Sequence, residues 1–260
     1  MCSKVDFLNY LYKERGLNKL TEVITNEEVA PGVFRLTVAG QFTGKMGQFY
    51  MIRAWKNYPM LSRPISIFDA DDKSLSFLYA VVGQGTTIFS ELKPTDEITL
   101  QGPNGNSFPQ VSGKIAMVGG GVGIAPFYLT AKQLKQANSA NVVDAYLGFR
   151  ETAILIEDYR RITDNVIVDV GGFITDKINP NDYDYIFACG PDPMMKAMFG
   201  KCKAAGAIEK LYLSIESRMG CGYGICAGCP IKIRSGDSHT MKKICSDGPV
   251  FRAQEVMLYE

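Results

Sequence analysis

The chain contains a single histidine, His239, among its 260 residues, and this scarcity limits the metal chemistry open to it. A two-histidine zinc protease site and a Rieske-type cluster each need two histidine ligands, so this chain alone builds neither. An excess of charge of one sign is also missing, because 28 Lys and Arg residues balance 27 Asp and Glu residues. The sum gives no electrostatic sign of a protein that binds nucleic acid or an anionic membrane.

Long apolar runs are absent as well. The sequence nowhere approaches the ~20 consecutive apolar residues that a membrane-spanning helix needs. Charges at Lys4, Asp6 and Lys13 interrupt the first residues, which therefore lack the apolar region of a signal peptide. We expect a cytoplasmic protein with reduced thiols, and the odd count of seven cysteines also argues against a disulfide framework.

The hydrophobic pattern changes three times along the chain. Residues 4–16 have apolar residues at helical spacing and predict a short helix that packs on its own domain or docks a partner. From Leu20 to about Gly102, short strands bounded by turns predict an antiparallel barrel or sandwich. After Gly113, apolar strands alternate with helices, which is typical of a doubly wound parallel sheet. The residues from Gly220 onward show little periodicity and need a metal or disulfide staple, because they are too few for a core.

We therefore predict a multi-domain protein in three parts. Residues 1–111 form an N-terminal antiparallel β-barrel domain with the short helix in front of it. Residues 112–216 form a central α/β domain with a doubly wound parallel sheet. Residues 217–260 form a small cysteine-rich C-terminal module.

The strongest chemical signal is a group of four cysteines in that module. Cys221, Cys226 and Cys229 have the spacing C-x4-C-x2-C, and Cys245 follows after fifteen further residues. This is the plant-type spacing of [2Fe–2S] ligands. Intervening glycines let the backbone wrap a cluster and aim N–H groups at its sulfurs. Structural zinc is the alternative, but zinc sites favour two closely spaced pairs, and here the fourth cysteine stands alone.

A glycine-rich turn lies between the strand that ends at Val118 and the helix that begins near Pro126. Such a turn lets backbone amides approach a pyrophosphate at a helix N-terminus. It departs from the G-x-G-x-x-G fingerprint, and a turn without a ligand explains the motif alone equally well. The candidate residues are Gly119, Gly120, Gly121 and Gly123.

Cys189 and Gly190 follow the predicted strand Tyr185–Ala188, at the end where open α/β sheets bind ligands. Cys189 is our candidate catalytic residue, although a lone cysteine is more often a buried structural thiol.

Three short motifs in the barrel are candidate phosphate and ring contacts. Arg63 offers paired donors to a diphosphate, although taken singly it reads as a surface arginine before a turn. The motifs are Arg63-Pro64-Ile65-Ser66, Leu78-Tyr79-Ala80 and Gly85-Thr86.

Taken in order, these motifs resemble the ferredoxin–NADP reductase superfamily from about Leu20 to Ile215. The order R-P-x-S, G-x-G-T, G-G-G-x-G-x-x-P, C-G-P-x-x-M is far more specific than any one motif. With the C-terminal cysteines added, essentially the whole chain resembles the electron-transfer subunits of NAD-dependent dihydroorotate dehydrogenases, which serve pyrimidine biosynthesis.

The resemblance implies three cofactor sites. FAD would lie in the barrel against the three motifs given above. NAD would bind the central domain, with the glycine turn facing its pyrophosphate and with Cys189 and Gly190 near the nicotinamide. The four cysteines would hold the [2Fe–2S] cluster. The end of the second central strand leaves NAD and NADP open, since Arg150 could meet a 2′-phosphate and Glu151 a free ribose hydroxyl.

The resemblance also implies a partner, an FMN-containing catalytic subunit, in a heterotetramer of two plus two. Electrons would run from dihydroorotate to FMN, the cluster, FAD and NAD. The length supports a partner independently, because a (β/α)8 barrel would need about 250 further residues. We expect the partner to dock around residues 218–230, where exposed Tyr223 and Ile225 would suit an interface, although Tyr223 could equally well only shield the cluster.

Two other functions stay open. Related relay subunits serve sulfide, sulfite, hydrogenase and transhydrogenase systems, so the chain could be a ferredoxin-linked NAD(P)H reductase subunit. A non-enzymatic binding module with a zinc knuckle is the second alternative.

Overall fold

The computed structural model describes residues 18–257 and residue 259. The helix predicted over residues 4–16 lies outside the described residues. The described chain forms a closed barrel, a six-stranded sheet and a two-stranded hairpin. None of the helices in these ranges is long and apolar enough to span a membrane.

The predicted antiparallel barrel is confirmed, and it closes in the order β1-β2-β5-β4-β3-β6. Alternation along the strands fills it: Leu36 and Val38 of β2 are buried in the core, whereas their neighbours Arg35 and Thr37 are only half-buried. A short helix, α1, follows β5, where the sequence predicted only a phosphate turn. The elements are β1 (Asn18–Ala30), β2 (Val33–Ala39), β3 (Phe49–Arg53), β4 (Arg63–Ala70), β5 (Ser74–Ala80), α1 (Gln84–Ser90) and β6 (Glu97–Asn104).

The central sheet has the strand order β14-β11-β10-β7-β8-β9, in which β14 (Val250–Arg252) comes from the C-terminal module. Five of these strands run parallel, as predicted, but the edge strand β14 pairs antiparallel with β11 and makes the sheet mixed. The elements are β7 (Lys114–Gly120), α2 (Ala125–Ala137), β8 (Val142–Phe149), α3 (Ile156–Arg160), β9 (Asn165–Val170), β10 (Tyr185–Cys189), α4 (Asp192–Ala204) and β11 (Leu211–Ser214).

Among the described residues, four single turns of 3-10 helix connect these elements, and a fifth follows the last strand. The four are Gly121–Ile124, Ile174–Asp176, Pro180–Asp182 and Ile208–Lys210, and the fifth is Ala253–Glu255.

The C-terminal module has more regular structure than its weak periodicity suggested. It contains β12 (Pro230–Ser235), β13 (Ser238–Lys243), α5 (Ile244–Asp247) and β14 (Val250–Arg252). Ile231 and Ile244 are buried in one apolar cluster with Leu213 of β11 and with Phe49 and Met51 of the barrel. The module is too small for a core of its own, so it buries its apolar side chains against both larger domains.

The order of the central strands creates a crevice. From β7 the chain proceeds to β8 and β9 on one side, and then returns to β10 and β11 on the other. The carboxyl ends of β7 and β10 therefore meet at the point where the winding reverses, and open α/β sheets bind ligands there. The glycine turn after β7 and the Cys189–Gly190 segment after β10 both lie at this point.

Candidate functional site

A cavity of about 290 Å³ opens between the barrel and the carboxyl edge of the central sheet. We call it the barrel cavity. Its barrel wall contains eight of the nine residues that the sequence assigned to the flavin, with Gly85 the exception. These eight are Arg63, Pro64, Ile65, Ser66, Leu78, Tyr79, Ala80 and Thr86.

Arg63 is held at the mouth of the barrel cavity by its neighbours. Its guanidinium lies 5.4 Å from the ring centroid of Trp55 and donates a hydrogen bond to the carbonyl of Leu61. Gly85 packs directly against it, since a Cβ there would lie 2.6 Å from Nε of Arg63. A fixed, half-buried guanidinium on a cavity wall can offer two parallel donors to a phosphate group.

Tyr79 contributes ring surface rather than a reactive hydroxyl. Its hydroxyl donates to Oδ1 of Asn26 at 3.1 Å, and its ring stacks on Phe34. Burial raises the pKa of Tyr79 well above its usual range. The side chain is therefore neutral at any physiological pH and presents an apolar surface to the cavity.

A second cavity, of about 260 Å³, occupies the crevice at the end of β10. We call it the crevice cavity. Its lining includes Gly123, Gly190, Asp192, Glu216 and Tyr259. A Cβ at Gly123 would lie 2.6 Å from the carbonyl oxygen of Cys189, so only glycine lets the two turns approach this closely.

The other glycines of the turn have different surroundings. Gly121 lines a third cavity, together with Arg150 and Glu151. Gly119 and Gly120 are buried and line none of these cavities. A Cβ at Gly120 would lie 2.7 Å from Sδ of Met194. The two therefore allow close packing behind the turn, and only Gly121 and Gly123 have surface toward a cavity.

Cys189 lies behind the crevice cavity rather than in its wall. Its side chain is 1% exposed, and the thiol bonds to Ser214. Burial raises the pKa of the Cys189 thiol far above its usual range, and the neighbouring Glu216 carboxylate adds to the shift. An enclosed thiol that stays protonated at neutral pH is a poor nucleophile, so we expect a positional role for Cys189.

Glu216 is the residue that the sequence analysis missed. It is the acidic residue that lines both the barrel cavity and the crevice cavity. The residue is exposed where the two cavities open, but the protein packed around its carboxyl raises the pKa of that group, with a smaller contribution from Asp192. The sequence pattern could have identified Glu216, because it follows the end of β11 on the ligand-binding edge of the sheet.

The four candidate ligand cysteines associate as two pairs. The N–H of Cys221 lies 3.5 Å from Sγ of Cys226, and the N–H of Cys226 lies 3.4 Å from Sγ of Cys221. The N–H of Cys245 donates to Sγ of Cys229 at 3.4 Å. Among the described residues, no three His, Cys, Asp or Glu side chains converge closely enough to hold one metal ion.

This paired arrangement fits a two-iron cluster in which each iron takes two thiolates. It fits less well with one tetrahedral zinc ion, which would draw all four sulfurs to one point. Backbone donors are already aimed at sulfur: the N–H of Gly224 lies 3.2 Å from Sγ of Cys245, and that of Gly228 lies 3.4 Å from Sγ of Cys226. Such donors stabilise the negative charge of a cluster.

The two pairs differ in environment. Burial opposes ionisation of Cys221, but N–H donors from Cys226 and Tyr223 outweigh it and lower the pKa of the thiol to about 6. Burial raises the pKa of Cys245 to about 12, and the sulfur of Cys229 adds to the shift. Cys226 is exposed, whereas Cys229 and Cys245 are each 1% exposed. One pair therefore faces the surface and the other faces the interior.

Comparison with known proteins agrees with this geometry. Residues 216–257 match the family model of the iron–sulfur cluster binding domain of dihydroorotate dehydrogenase B. The electron-transfer subunit of dihydroorotate dehydrogenase B (NAD(+)) from Clostridium acetobutylicum is 40% identical over 91% of this chain and 96% of its own length. The subunit from Geobacillus thermodenitrificans is 36% identical over 94% and 99%. This chain belongs to the family of dihydroorotate dehydrogenase B electron-transfer subunits.

Solved structures show the same fold. An NADH-dependent reduced ferredoxin–NADP oxidoreductase superposes with a TM-score of 0.80 at 29% identity, over 92% of this chain and 90% of its own. A ferredoxin–NADP reductase from Neisseria gonorrhoeae, solved with FAD and NADP, shares the fold at 17% identity and a TM-score of 0.61, over 73% and 92%.

The chain is thus an oxidoreductase of the flavin and iron–sulfur type, with FAD, a [2Fe–2S] cluster and NAD as its cofactors. The barrel cavity and the paired cysteines fit the first two groups.

Proposed function

We propose that this chain is the electron-transfer subunit of a two-protein NAD-dependent dihydroorotate dehydrogenase in pyrimidine biosynthesis. It would pass electrons from an FMN-containing catalytic subunit to NAD. One observation carries the proposal: the paired cysteines lie between the barrel cavity and an exposed surface, with one pair toward each. A subunit that relays electrons between a flavin and a second protein needs its cluster between the flavin site and the docking surface.

The buried side of the C-terminal module, which we now call the cluster module, is continuous with the barrel cavity. Phe49 lines that cavity and belongs to the same apolar cluster as Cys229 and Cys245. Met219, two residues before Cys221, and Pro249, four residues after Cys245, also line the cavity. Electrons would therefore travel between the cluster and FAD through a packed, apolar region.

The outer side of the module is exposed. Residues 225–228 are all exposed, and Ile225 retains 78% of its accessible surface. Tyr223 is half-buried and Ile225 is the more exposed of the two expected anchors. An exposed aliphatic side chain next to an electron-transfer centre is suited to a partner interface.

The residues of the chain would hold and orient the groups that react. When bound, FAD couples the two-electron chemistry of NAD to the one-electron chemistry of the cluster. Arg63 would fix the FAD diphosphate, and Leu78, Tyr79 and Ala80 would face its ring. Gly123 and Gly190 would let the nicotinamide nucleotide enter the crevice cavity beside it.

We propose NAD rather than NADP as the nucleotide. Arg150 and Glu151 both lie on the rim of the cavity at the end of β8. A carboxylate there accepts from a free ribose hydroxyl and repels a 2′-phosphate. Steady-state kcat/KM with NADH and with NADPH tests this. Glu151→Gln should lower the ratio of the NADH value to the NADPH value. A wild-type preference for NADPH would contradict the proposal.

Reconstitution tests the proposed function as a whole. The purified chain, loaded with FAD and cluster, should oxidise NADH with artificial acceptors and should not oxidise dihydroorotate. Mixed with the FMN-containing subunit, it should give NAD-linked oxidation of dihydroorotate. Turnover of dihydroorotate by the chain alone, or failure of the pair to form, would contradict it.

The docking surface can be tested separately. Ile225→Glu should weaken the complex on size-exclusion chromatography at least tenfold in Kd and should spare NADH oxidation with artificial acceptors, since it lies outside both cavities. Phe173→Glu is the matched control, because Phe173 is 76% exposed and belongs to the central domain. Equal effects of the two variants would rule out a docking surface at residues 218–230, the cluster loop.

We further propose a heterotetramer of two chains with two partners, acting in the cytoplasm, where a reducing environment keeps the cluster cysteines free to bind iron. Light scattering on the purified complex measures the stoichiometry.

The likeness to the NADH-dependent reduced ferredoxin–NADP oxidoreductase supports a second candidate, a reductase subunit that exchanges electrons with ferredoxin. Rapid reduction of the cluster by reduced ferredoxin, with no response to the dihydroorotate-oxidising subunit, would favour it.

A further inference from the structure

Lys243 of the cluster module contacts the loop that carries Cys221 and Cys226. It ends β13 and immediately precedes α5, the helix that carries Cys245. Its backbone N–H donates to Oδ2 of Asp247 at 2.7 Å, which fixes the start of that helix. Its side chain leaves the hairpin and reaches across to the cluster loop.

The ammonium of Lys243 donates to the carbonyl oxygen of Gly224 at 2.9 Å. The N–H of the same residue, Gly224, donates to Sγ of Cys245 at 3.2 Å. The backbone carbonyl of Gly224 is thus fixed by Lys243, and its backbone N–H by Cys245. Among the described residues, no carboxylate lies within ion-pairing distance of this ammonium.

Gly224 suits this position because its φ is +86°, in the left-handed region, and a Cβ there would lie 2.7 Å from Oγ of Ser246. A side chain would push the loop away from Cys245 and from the ammonium. The loop therefore approaches α5 closely enough for the lysine and the sulfur to share it.

We propose that Lys243 is a positioning residue that raises the reduction potential of the [2Fe–2S] cluster. It holds Gly224 with its N–H toward the Cys245 sulfur and places a positive charge on the carbonyl of that same glycine. Reduction adds one electron to the cluster, and hydrogen bonds to sulfur and positive charge nearby stabilise the added negative charge. The inference presupposes the cluster but not the identity of the partner.

The chain provides a matched control one residue away. Lys242 carries the same charge, but successive side chains of a strand point to opposite faces, and Lys242 is exposed and lines a different cavity with Arg252. Lys242→Met removes the same net charge without touching Gly224. Lys243→Arg keeps the charge and the donor.

The experiment is a redox titration of the isolated holoprotein, monitored by the EPR signal of the reduced cluster. Lys243→Met should reduce the equilibrium constant for one-electron reduction at least tenfold, a fall of about 59 mV for a one-electron couple. Lys242→Met should shift it by much less, and Lys243→Arg should stay near wild type. The FAD potential, measured in the same titration, should not change.

An unchanged cluster potential in Lys243→Met, or equal shifts in Lys242→Met and Lys243→Met, would overturn the proposal. If Lys243→Met fails to assemble a cluster, Lys243→Gln replaces it, since glutamine keeps a neutral donor. A wild-type potential in Lys243→Gln would likewise overturn the role of the charge. The cluster potential is measured on the isolated chain. A negative result for Lys243 is therefore distinct from a failure to bind the dihydroorotate-oxidising subunit.

Discussion

Arg63 of β4 and Gly85 of α1 lie in direct contact, and a Cβ at Gly85 would sit 2.6 Å from Nε and 2.8 Å from Cζ of the guanidinium. The two residues are far apart in the sequence and belong to different motifs. Their contact, with Trp55 on another side of the guanidinium, sets the direction in which Arg63 donates into the barrel cavity.

Arg63→Ala should weaken FAD binding at least tenfold, because each charge-assisted hydrogen bond to the diphosphate is worth about 1.5–3 kcal/mol. Arg63→Lys should restore only part of the affinity, since an ammonium lacks the paired planar donors. Flavin fluorescence during dilution measures the affinity. Arg160→Ala, an exposed arginine on α3, is the control, and wild-type FAD occupancy in dilute Arg63→Ala would contradict the assigned role.

Cys226→Ser should lose most of its iron and sulfide and retain FAD, because an oxygen ligand is a poor substitute for a thiolate and the FAD site lies in another domain. Iron and sulfide analysis, with the flavin absorbance as an internal reference, measures both. Cys202→Ala, which alters a buried cysteine in α4, should leave the cluster intact. One tightly bound zinc and no sulfide in the wild type would disprove the iron–sulfur assignment.

Cys189→Ala should leave FAD and cluster in place and slow the reduction of FAD by NADH. The effect should be moderate, because the enclosed thiol touches the crevice cavity only through the backbone of Gly190 and through Ser214. Stopped-flow absorbance of the flavin measures the rate. A rate indistinguishable from wild type would place Cys189 among structural thiols.

Glu216→Gln should change how stability depends on pH. The folded protein raises the pKa of the Glu216 carboxyl, so the wild type gains stability at pH values below the unfolded pKa and loses it as the pH rises through the folded pKa. Glutamine does not titrate. The Tm of Glu216→Gln minus that of wild type should therefore increase from about pH 4 to pH 7. Scanning calorimetry across this range measures it, and a difference that falls with rising pH would show that the pKa is lowered instead.

Much of this molecule can be predicted from local sequence. The alternation of apolar residues in β2 and β5 predicts the barrel, and the strand–turn–helix pattern around Gly119–Gly123 predicts the nucleotide domain. The spacing of Cys221, Cys226 and Cys229 predicts an iron–sulfur loop, because three ligands of a cluster must come from one tight segment. These features depend on residues close together in the chain, so their physical meaning can be read from their spacing.

Other features were decided only by tertiary packing. Strand β14 joins the central sheet because the C-terminal module must bury its apolar residues on a neighbour, and no local pattern specifies that neighbour. Cys189 is enclosed by Ser214 on an adjacent strand, and Glu216 reaches two cavities because β11 lies beside β10. The spacing of residues along the chain determined which motifs are candidates for the chemistry, but it did not identify Glu216. Long-range pairing of strands decided which of them face a cavity, which face the core, and which cysteine pair lies at the surface.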